Sequence, residues 1–363
     1  MPETLTARLL LRHTKALKLP ERLLAEPEST AIFADQEMRE ALTRRAEALA
    51  GRMLPLESLT SGGEFDGARA ILCSLSDLAE IRSSLDETRP GLPARSLTGD
   101  YLLAAACGLD PWADIAALER DPLPGNLYAI ACLPRTGSTF FCHLLQGLGT
   151  VARPTEHLRP HIVFLAEHAG LLGFDPVRWV KLVMRTGSSD NLFGSKIISD
   201  FAADFWPLLS EGQRTELSAL FGDVKLIHLE RTDKIAQSVS QFIADETRVW
   251  HVRRKGDDET YREAKQAVHY DSERLRTIHA RFVSSEASLR ERLSEHDGPV
   301  HHLSYEALVD DPQHAVSDAV AFITGAPAEP VHLTHEKYFP MSDDINRAFA
   351  EKFTAELEQD DRP

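Results

Sequence analysis

A short polar turn, Arg135-Thr-Gly-Ser-Thr139, carries side chains that are suited to binding an anion. The arginine offers a planar guanidinium that pairs with phosphate or sulfate oxygens, and the serine and threonine add hydroxyl donors. Gly137 has no Cβ, so main-chain N–H groups can approach a ligand closely. The turn therefore predicts a phosphate or sulfate site, with an ordinary strand-to-helix turn and its capping residues as the alternative.

The segments on either side of this turn predict a strand and a helix. Leu127 to Leu133 is an unbroken apolar run, typical of a strand buried on both faces of a parallel sheet, and Pro134 ends it. After the turn, apolar residues recur along one helical stripe: Phe140, Phe141, Leu144, Leu145 and Leu148. A turn at a helix N-terminus favours an anion, because the first N–H groups lack internal partners and the helix dipole is positive there.

The turn differs from a Walker A loop. That motif, G-x-x-x-x-G-K-[ST], requires a glycine where Cys132 stands and a lysine where Ser138 stands. A P-loop nucleotide kinase or NTPase, which would depend on Mg²⁺, is therefore kept only as an alternative function.

Four ordered blocks between about residues 125 and 350 resemble sulfotransferases that use 3′-phosphoadenosine 5′-phosphosulfate (PAPS), and among these the bacterial trehalose 2-sulfotransferase family. The blocks are Arg135 to Leu145, Arg153-Pro-Thr-Glu156, Gly194-Ser-Lys-Ile197, and Ile227 to Ser240 with Thr247-Arg-Val-Trp250. The resemblance implies an α/β fold in which a central parallel sheet is flanked by helices. It also implies PAPS as sulfuryl donor, no metal, and a 5′-phosphosulfate loop formed by Arg135, Thr136, Gly137, Ser138 and Thr139.

The resemblance assigns the general base to Glu156, with Arg135 as the second catalytic residue. A carboxylate suffices, because the acceptor hydroxyl loses its proton only as its bond to sulfur forms. The alternative is that Glu156 caps a helix or pairs with Arg153 or Arg159. Lys196 matches a family lysine and is either a cation near the sulfuryl group or substrate, or a surface residue at a strand end.

A second strand–turn–helix unit follows later in the chain. Val224 to Glu230 predicts a strand that ends at Arg231, and Asp233 predicts the start of a helix. The resemblance implies that Arg231 and a serine on this helix hold the 3′-phosphate of PAPS. Ser240 matches the family position best by spacing, and Ser238 is the fallback.

Four further residues have less defined roles. Arg248 and Trp250 resemble a segment of the trehalose-family enzymes, and contact with the acceptor and contact with a partner chain both remain open for them. Lys337 and Arg347 near the C-terminus are candidates for reaching the 3′-phosphate.

Metal binding is not expected. His157 and His161 lie one helical turn apart, but the sequence offers neither a convincing third ligand nor an H-E-x-x-H pattern. The cysteines are scattered without C-x-x-C spacing and predict small core residues of a reducing compartment: Cys73, Cys107, Cys132 and Cys142.

The composition limits the classes of molecule that this protein is expected to bind. Lys plus Arg is 40 and Asp plus Glu is 56, giving a net charge of −16, which argues against general nucleic-acid binding but does not exclude an anionic cofactor. No apolar run reaches the length of a membrane span, and Met1 to Arg12 lacks a signal-peptide core. We therefore expect a cytoplasmic protein, with peripheral membrane contact and a homodimer both left open.

The chain predicts two regions. Residues 1–120 look mainly helical, with Asp35 to Leu49 as the clearest helix and Gly51 as its end. They lie outside the resemblance, and a lid, a substrate-selecting domain and a partner surface all remain open. Residues 121–363 form the predicted sulfotransferase domain, in which Thr150 to Ala152 is a candidate short strand.

The function predicted from the sequence is sulfuryl transfer from PAPS to a hydroxyl of a sugar, glycolipid or other small molecule. Besides the kinase, the alternative is a non-catalytic protein that binds PAPS.

Overall fold

The computed structural model describes residues 14–56, 58, 67–74, 83, 85–87, 89–250, 257–327, 330, 333 and 343–360. Within these residues the chain is α/β, with parallel sheets flanked by helices. The fold class predicted from the sequence is confirmed.

The strands and helices of the described residues are as follows. The strands are β1 (Thr30–Ala34), β2 (Met53–Pro55), β3 (Arg69–Cys73), β4 (Ala94–Ser96), β5 (Asn126–Cys132), β6 (Leu192–Ile198), β7 (Lys225–Glu230) and β8 (Val300–Ser304). The α-helices are α1 (Leu19–Ala25), α2 (Gln36–Thr43), α3 (Asp100–Ala106), α4 (Ile115–Leu118), α5 (Ser138–Leu148), α6 (Pro160–Glu167), α7 (Ala169–Leu172), α8 (Pro176–Gly187), α9 (Ser199–Phe205), α10 (Glu211–Phe221), α11 (Lys234–Thr247), α12 (Asp257–Gln266), α13 (Ser272–Ser294), α14 (Tyr305–Asp310), α15 (Pro312–Thr324) and α16 (Asp344–Asp360). Short 3₁₀ helices span Thr14–Leu17, Glu47–Leu49 and Trp206–Leu208.

The chain divides into two compact units. The first comprises Met1–Leu123, Leu158–Thr186 and Asp204–Glu216, and the second comprises Pro124–His157, Gly187–Ala203 and Leu217–Pro363. The domain boundary predicted after residue 120 stays a prediction, but two later segments belong to the first unit.

The first unit contains a four-stranded parallel sheet in the order β2-β1-β3-β4. The prediction of a mainly helical region missed this sheet, because strands of three to five residues are too short to be told from buried helix turns. The helix predicted from Asp35 is present, with the Asp35 carboxylate capping the Met38 N–H at 2.8 Å. However, α2 ends at Thr43 with Arg44 as its C-cap, so Gly51 is not its end.

The second unit contains the sheet β6-β5-β7-β8, also entirely parallel. β5 lies between two neighbours and its residues from Tyr128 to Cys132 are buried, which explains their unbroken apolar run. The register pairs Cys132 with Ile198 and Leu229, and Glu230 with Ser304. The residues that follow these strands therefore meet at one edge of the sheet, where open α/β sheets bind ligands.

The short strand predicted at Thr150 to Ala152 is wrong. Among the described residues the segment makes no ladder, and an isolated bridge to the sheet comes just after it, between Thr155 and Ser195. Its apolar residues are buried by packing instead, and the Tyr128 hydroxyl donates to the Ala152 carbonyl.

Helices cover both sides of this second sheet. One core includes side chains of α5 and α15: Phe141, Leu144, Leu145, Val316, Ala319 and Ile323. Another joins α11, α13 and α16: Val239, Phe242, Ile243, Leu275, Ile278, Phe282 and Phe353. None of the helices in the described ranges has the length and low polarity needed to cross a bilayer.

Candidate functional site

The turn between β5 and α5 has the backbone of an anion-binding loop. Arg135 and Gly137 both adopt left-handed conformations, with φ of 65° and 75°. A non-glycine residue in this conformation is strained, and such strain concentrates at functional sites. Phe141 N–H donates to Gly137 O at 3.0 Å, so by helix geometry the main-chain N–H groups before it face out of the α5 N-terminus.

Gly137 is required here for two reasons. Its φ of 75° suits glycine, and a Cβ would lie 2.5 Å from Cδ2 and 2.8 Å from Cε2 of Tyr305. The Tyr305 ring therefore lies directly against the loop.

The hydroxyl groups of the loop have different surroundings. Thr136 is fully buried and its hydroxyl donates to Leu133 O at 3.0 Å, so its side chain braces the turn. Ser138 is buried at the first position of α5. Thr139 is half-buried, and its Oγ1 accepts from Lys196 Nζ at 3.3 Å.

Arg135 joins the blocks that the sequence placed far apart. Its Nε donates to Ser240 Oγ at 3.0 Å, and Nη1 donates to the Trp250 carbonyl at 2.8 Å. Ser240 is half-buried, whereas Ser238 is fully buried and its hydroxyl donates to Lys234 O at 2.6 Å. Of the two serines considered from the sequence, Ser240 therefore lies beside Arg135.

Glu156 and Lys196 form an ion pair, with Oε2 and Nζ 2.5 Å apart. The Lys196 side chain is 8% exposed and that of Glu156 is 20% exposed, so Lys196 is not a surface lysine. Lys196 N–H also donates to Thr155 O at 2.9 Å, which fixes the segment carrying Glu156 against β6. Through Thr139, the same lysine links Glu156 to the anion-binding loop.

Arg231 directly follows β7 and carries an unsatisfied hydrogen-bond donor. Its guanidinium carbon lies 4.8 Å from the centroid of the Tyr305 ring. Its Nε is buried and has no hydrogen-bond partner among the described residues. A buried donor without a partner costs about 1–3 kcal/mol, and the oxygen of a bound anion would satisfy it.

The turn after Arg231 is fixed by two carboxylates. Glu306 accepts hydrogen bonds from Thr232 N–H at 3.1 Å and Asp233 N–H at 3.2 Å. Burial acts to raise the pKa of Glu306, but these main-chain hydrogen bonds outweigh it and lower the pKa. Asp233 caps α11 by accepting from Ala236 N–H at 2.8 Å, as its position in the sequence predicted.

A buried polar network holds the main chain at Arg231. Lys234 Nζ donates to Arg231 O at 2.6 Å and to Glu286 Oε2 at 2.9 Å, and His228 Nε2 lies 2.7 Å from Glu286 Oε1. Burial acts to raise the pKa of Glu286, but the hydrogen bonds from His228 and Lys234 dominate and lower it. The ionised carboxylate therefore holds Lys234 under the Arg231 carbonyl.

One group of metal-ligand types occurs within the described ranges, formed by His228, Glu230 and Glu286. Both carboxylates already have cationic partners, since Lys234 binds Glu286 and Arg290 binds Glu230. These ion pairs account for the cluster without a metal, and the expectation of a metal-free site stays a prediction.

Tyr305 and Glu306 lie at the site but were not singled out by the sequence analysis. A signal was available: they directly follow β8, which is paired with β7, so they lie at the same sheet edge as Arg231. Gln237 of α11 also links the two strand–turn–helix motifs of the second sheet, because its Nε2 donates to Pro134 O at 2.7 Å.

Of the four residues with less defined roles, the structure describes three. Arg248 is the exposed C-cap of α11, with φ of 58°, and the Trp250 side chain is 41% exposed. Arg347 pairs with Asp344 on α16, and Lys337 lies outside the described residues.

Comparison with known proteins places this site in a family. Residues 127–356, more than half of the chain, match the family model described as Stf0 sulphotransferase. A search of curated proteins returned no match. Among solved structures, the chain is similar to the sulfotransferase domain from the Synechococcus PCC 7002 olefin synthase, with 17% identity over 64% of this chain and 96% of that one. The TM-score of that match is 0.27, and we draw no conclusion from it. The family match includes the loop, the base candidate and Arg231, and the chain belongs to the Stf0 sulphotransferase family, whose chemistry is sulfuryl transfer.

Proposed function

We propose that this enzyme transfers a sulfuryl group from PAPS to a hydroxyl of a sugar, glycolipid or other small molecule. The observation that carries the proposal is the buried Nε of Arg231, which lacks a partner among the described residues and lies at the same sheet edge as the loop after β5. A donor with anionic groups at both its 5′ and 3′ positions would engage both places.

The residues fit such a donor in two groups. The main-chain N–H groups at the α5 N-terminus, with Arg135 and the hydroxyls of Ser138 and Thr139, would bind the 5′-phosphosulfate. Arg231 and Ser240 would bind the 3′-phosphate. PAPS, when bound, supplies an activated sulfuryl group.

Glu156 is the proposed general base. Its carboxylate would accept the proton of the acceptor hydroxyl as the oxygen bonds to sulfur. Lys196 orients this carboxylate through the 2.5 Å ion pair and also reaches Thr139 of the loop. Base and loop are therefore held in one geometry, which is how positioned groups lower a barrier. The loop amides and Arg135 would stabilise the charge that gathers on the donor oxygens.

The donor is tested by calorimetric titration of the purified protein with adenosine 3′,5′-bisphosphate and, separately, with ADP plus Mg²⁺. We expect the bisphosphate to bind and ADP with Mg²⁺ to bind much more weakly. Arg231→Ala should weaken the bisphosphate by about 10- to 100-fold, because a buried charge-assisted hydrogen bond is lost. Arg281→Ala, which removes an exposed arginine of α13, is the charge-matched control and should change little.

Preference for ADP with Mg²⁺ would overturn the proposal in favour of a nucleotide kinase. Equal effects of the two arginine variants would show that Arg231 acts only through net charge. Binding of the bisphosphate without sulfuryl transfer to any hydroxyl would leave a non-catalytic PAPS-binding protein.

A further inference from the structure

We propose that Tyr305 and Glu306 are positioning residues that set the spacing between the anion-binding loop and Arg231, and so select a donor that carries a 3′-phosphate. The inference rests on the proposed function and names what determines its specificity for the donor.

The Tyr305 ring contacts both anion-binding elements. On one side it fills the space where a Cβ of residue 137 would stand, with ring atoms 2.5 and 2.8 Å from that point. It also lies beneath the Arg231 guanidinium, whose central carbon is 4.8 Å from the ring centroid. A cation over an aromatic face is attracted to it, so this ring orients Arg231 while the arginine Nε has no other described partner.

Glu306 fixes the main chain of the same turn. Its two carboxylate oxygens accept from the consecutive N–H groups of Thr232 and Asp233, at 3.1 and 3.2 Å. The side chain of Arg231 and the backbone that follows it are thus held by two adjacent residues of α14.

These two residues are themselves rigidly mounted. They follow β8 directly, and the register pairs Ser304 with Glu230, next to Arg231 in the chain. Ser304 caps α14 by accepting from Ala307 N–H at 3.0 Å, and Leu308 is fully buried beneath the helix. A rigid brace of this kind keeps the loop and Arg231 at one distance before any ligand binds, which favours a ligand whose two anionic groups match that distance.

The test compares the affinities of two nucleotides, adenosine 3′,5′-bisphosphate and AMP, which lacks the 3′-phosphate. Their ratio measures the contribution of the 3′-phosphate alone. Calorimetry on the full chain should give a ratio in Tyr305→Phe close to that of the unchanged protein, because the ring is retained. In Tyr305→Leu the ratio should fall about tenfold or more, since Arg231 is no longer oriented.

Glu306→Gln provides a second, milder variant that keeps the shape of the side chain. It replaces one accepting oxygen with a donor that cannot bind a main-chain N–H, so the ratio should fall by several-fold. If Tyr305→Leu does not fold, Glu306→Gln alone decides the question. Thermal unfolding of each variant shows whether the protein remains folded.

The outcomes separate this inference from the proposed function. No preference for the bisphosphate in the unchanged protein would refute the PAPS donor and the inference with it. A clear preference there, with the same ratio in the folded variants or equal weakening of both nucleotides, would refute the inference alone. A ratio that falls in the variants and is retained in Tyr305→Phe would establish it.

Discussion

Glu156 depends on a lysine that is almost completely withdrawn from solvent. Removing one partner of a buried ion pair leaves the other charge without compensation, which destabilises a protein by about 3–5 kcal/mol. The 20% exposure of the Glu156 side chain lessens that cost but does not abolish it. A test of the base must therefore separate lost chemistry from lost structure.

We predict that Glu156→Gln lowers the turnover of sulfuryl transfer by about 100- to 10 000-fold, the usual contribution of a general base. The affinity for adenosine 3′,5′-bisphosphate should stay within a few-fold, because Glu156 is not among the proposed donor ligands. Glu167→Gln, at the exposed end of α6, is the matched control and should leave turnover unchanged. Unaltered turnover in a folded Glu156→Gln would mean that another residue is the base.

The sequence named candidate residues of the site but not the contacts that these residues make. The sequence singled out Arg135 by the chemistry of its turn, and the family resemblance singled out Glu156 and Arg231. It did not reveal that the hydroxyls of Thr136 and Ser238 are used internally, at Leu133 O and Lys234 O. Those bonds depend on side-chain directions that spacing alone does not determine.

At the scale of elements, apolar runs were a dependable signal for the central strands of the second sheet. β5 and β7 were both predicted from such runs, since a strand buried on both faces needs consecutive apolar residues. The strands of the first unit span three to five residues and were missed. The strand predicted at Thr150 to Ala152 was wrong for the opposite reason. Its apolar residues are buried, but they form no ladder with the described strands.

Helix α5 is capped at both ends by glycines with left-handed backbones. Gly137 is the N-cap, with φ of 75°, and Gly149 is the C-cap, with φ of 66°. The conformational cost of alanine in this region is about 1–2 kcal/mol at either position. No described atom lies within 4 Å of a Cβ at position 149, whereas one at position 137 would collide with Tyr305.

We therefore predict that Gly137→Ala destabilises the protein more than Gly149→Ala does, measured as the free energy of unfolding in denaturant. Gly137→Ala should also weaken binding of adenosine 3′,5′-bisphosphate, because the ring and the loop must move apart. Equal losses of stability in the two variants would show that the contact with Tyr305 yields easily.

At the scale of the whole molecule, the N-terminal region forms one compact unit together with segments that follow Glu156 in the sequence. Arg178 Nε pairs with Glu119 Oε1 at 2.7 Å, and Gly99 N–H donates to Leu172 O at 2.9 Å. Trp179 is buried in the same unit, and its indole N–H lies 3.5 Å from Ala106 O. The sequence predicted a boundary at residue 120 because the family resemblance begins only after it, but it could not show which later segments return to the first unit.

We predict that a fragment spanning residues 121–363 unfolds at a lower temperature than the full chain. It retains the segments Leu158–Thr186 and Asp204–Glu216 but loses the N-terminal residues that complete their unit. Thermal unfolding, with a dye that binds exposed apolar surface, measures the effect. A fragment with the unfolding temperature and nucleotide affinity of the full chain would instead establish an independent domain from residue 121.

The unsatisfied hydrogen-bond donor of Arg231 also affects the choice of buffer and salt for experiments on the protein. A buried guanidinium N–H that has no partner among the described residues can donate to a small oxyanion from the solution. We therefore expect phosphate or sulfate buffers to occupy part of the proposed nucleotide site and to weaken the nucleotide affinities measured in them. Purification and crystallisation from such salts will tend to yield the protein with this place already filled.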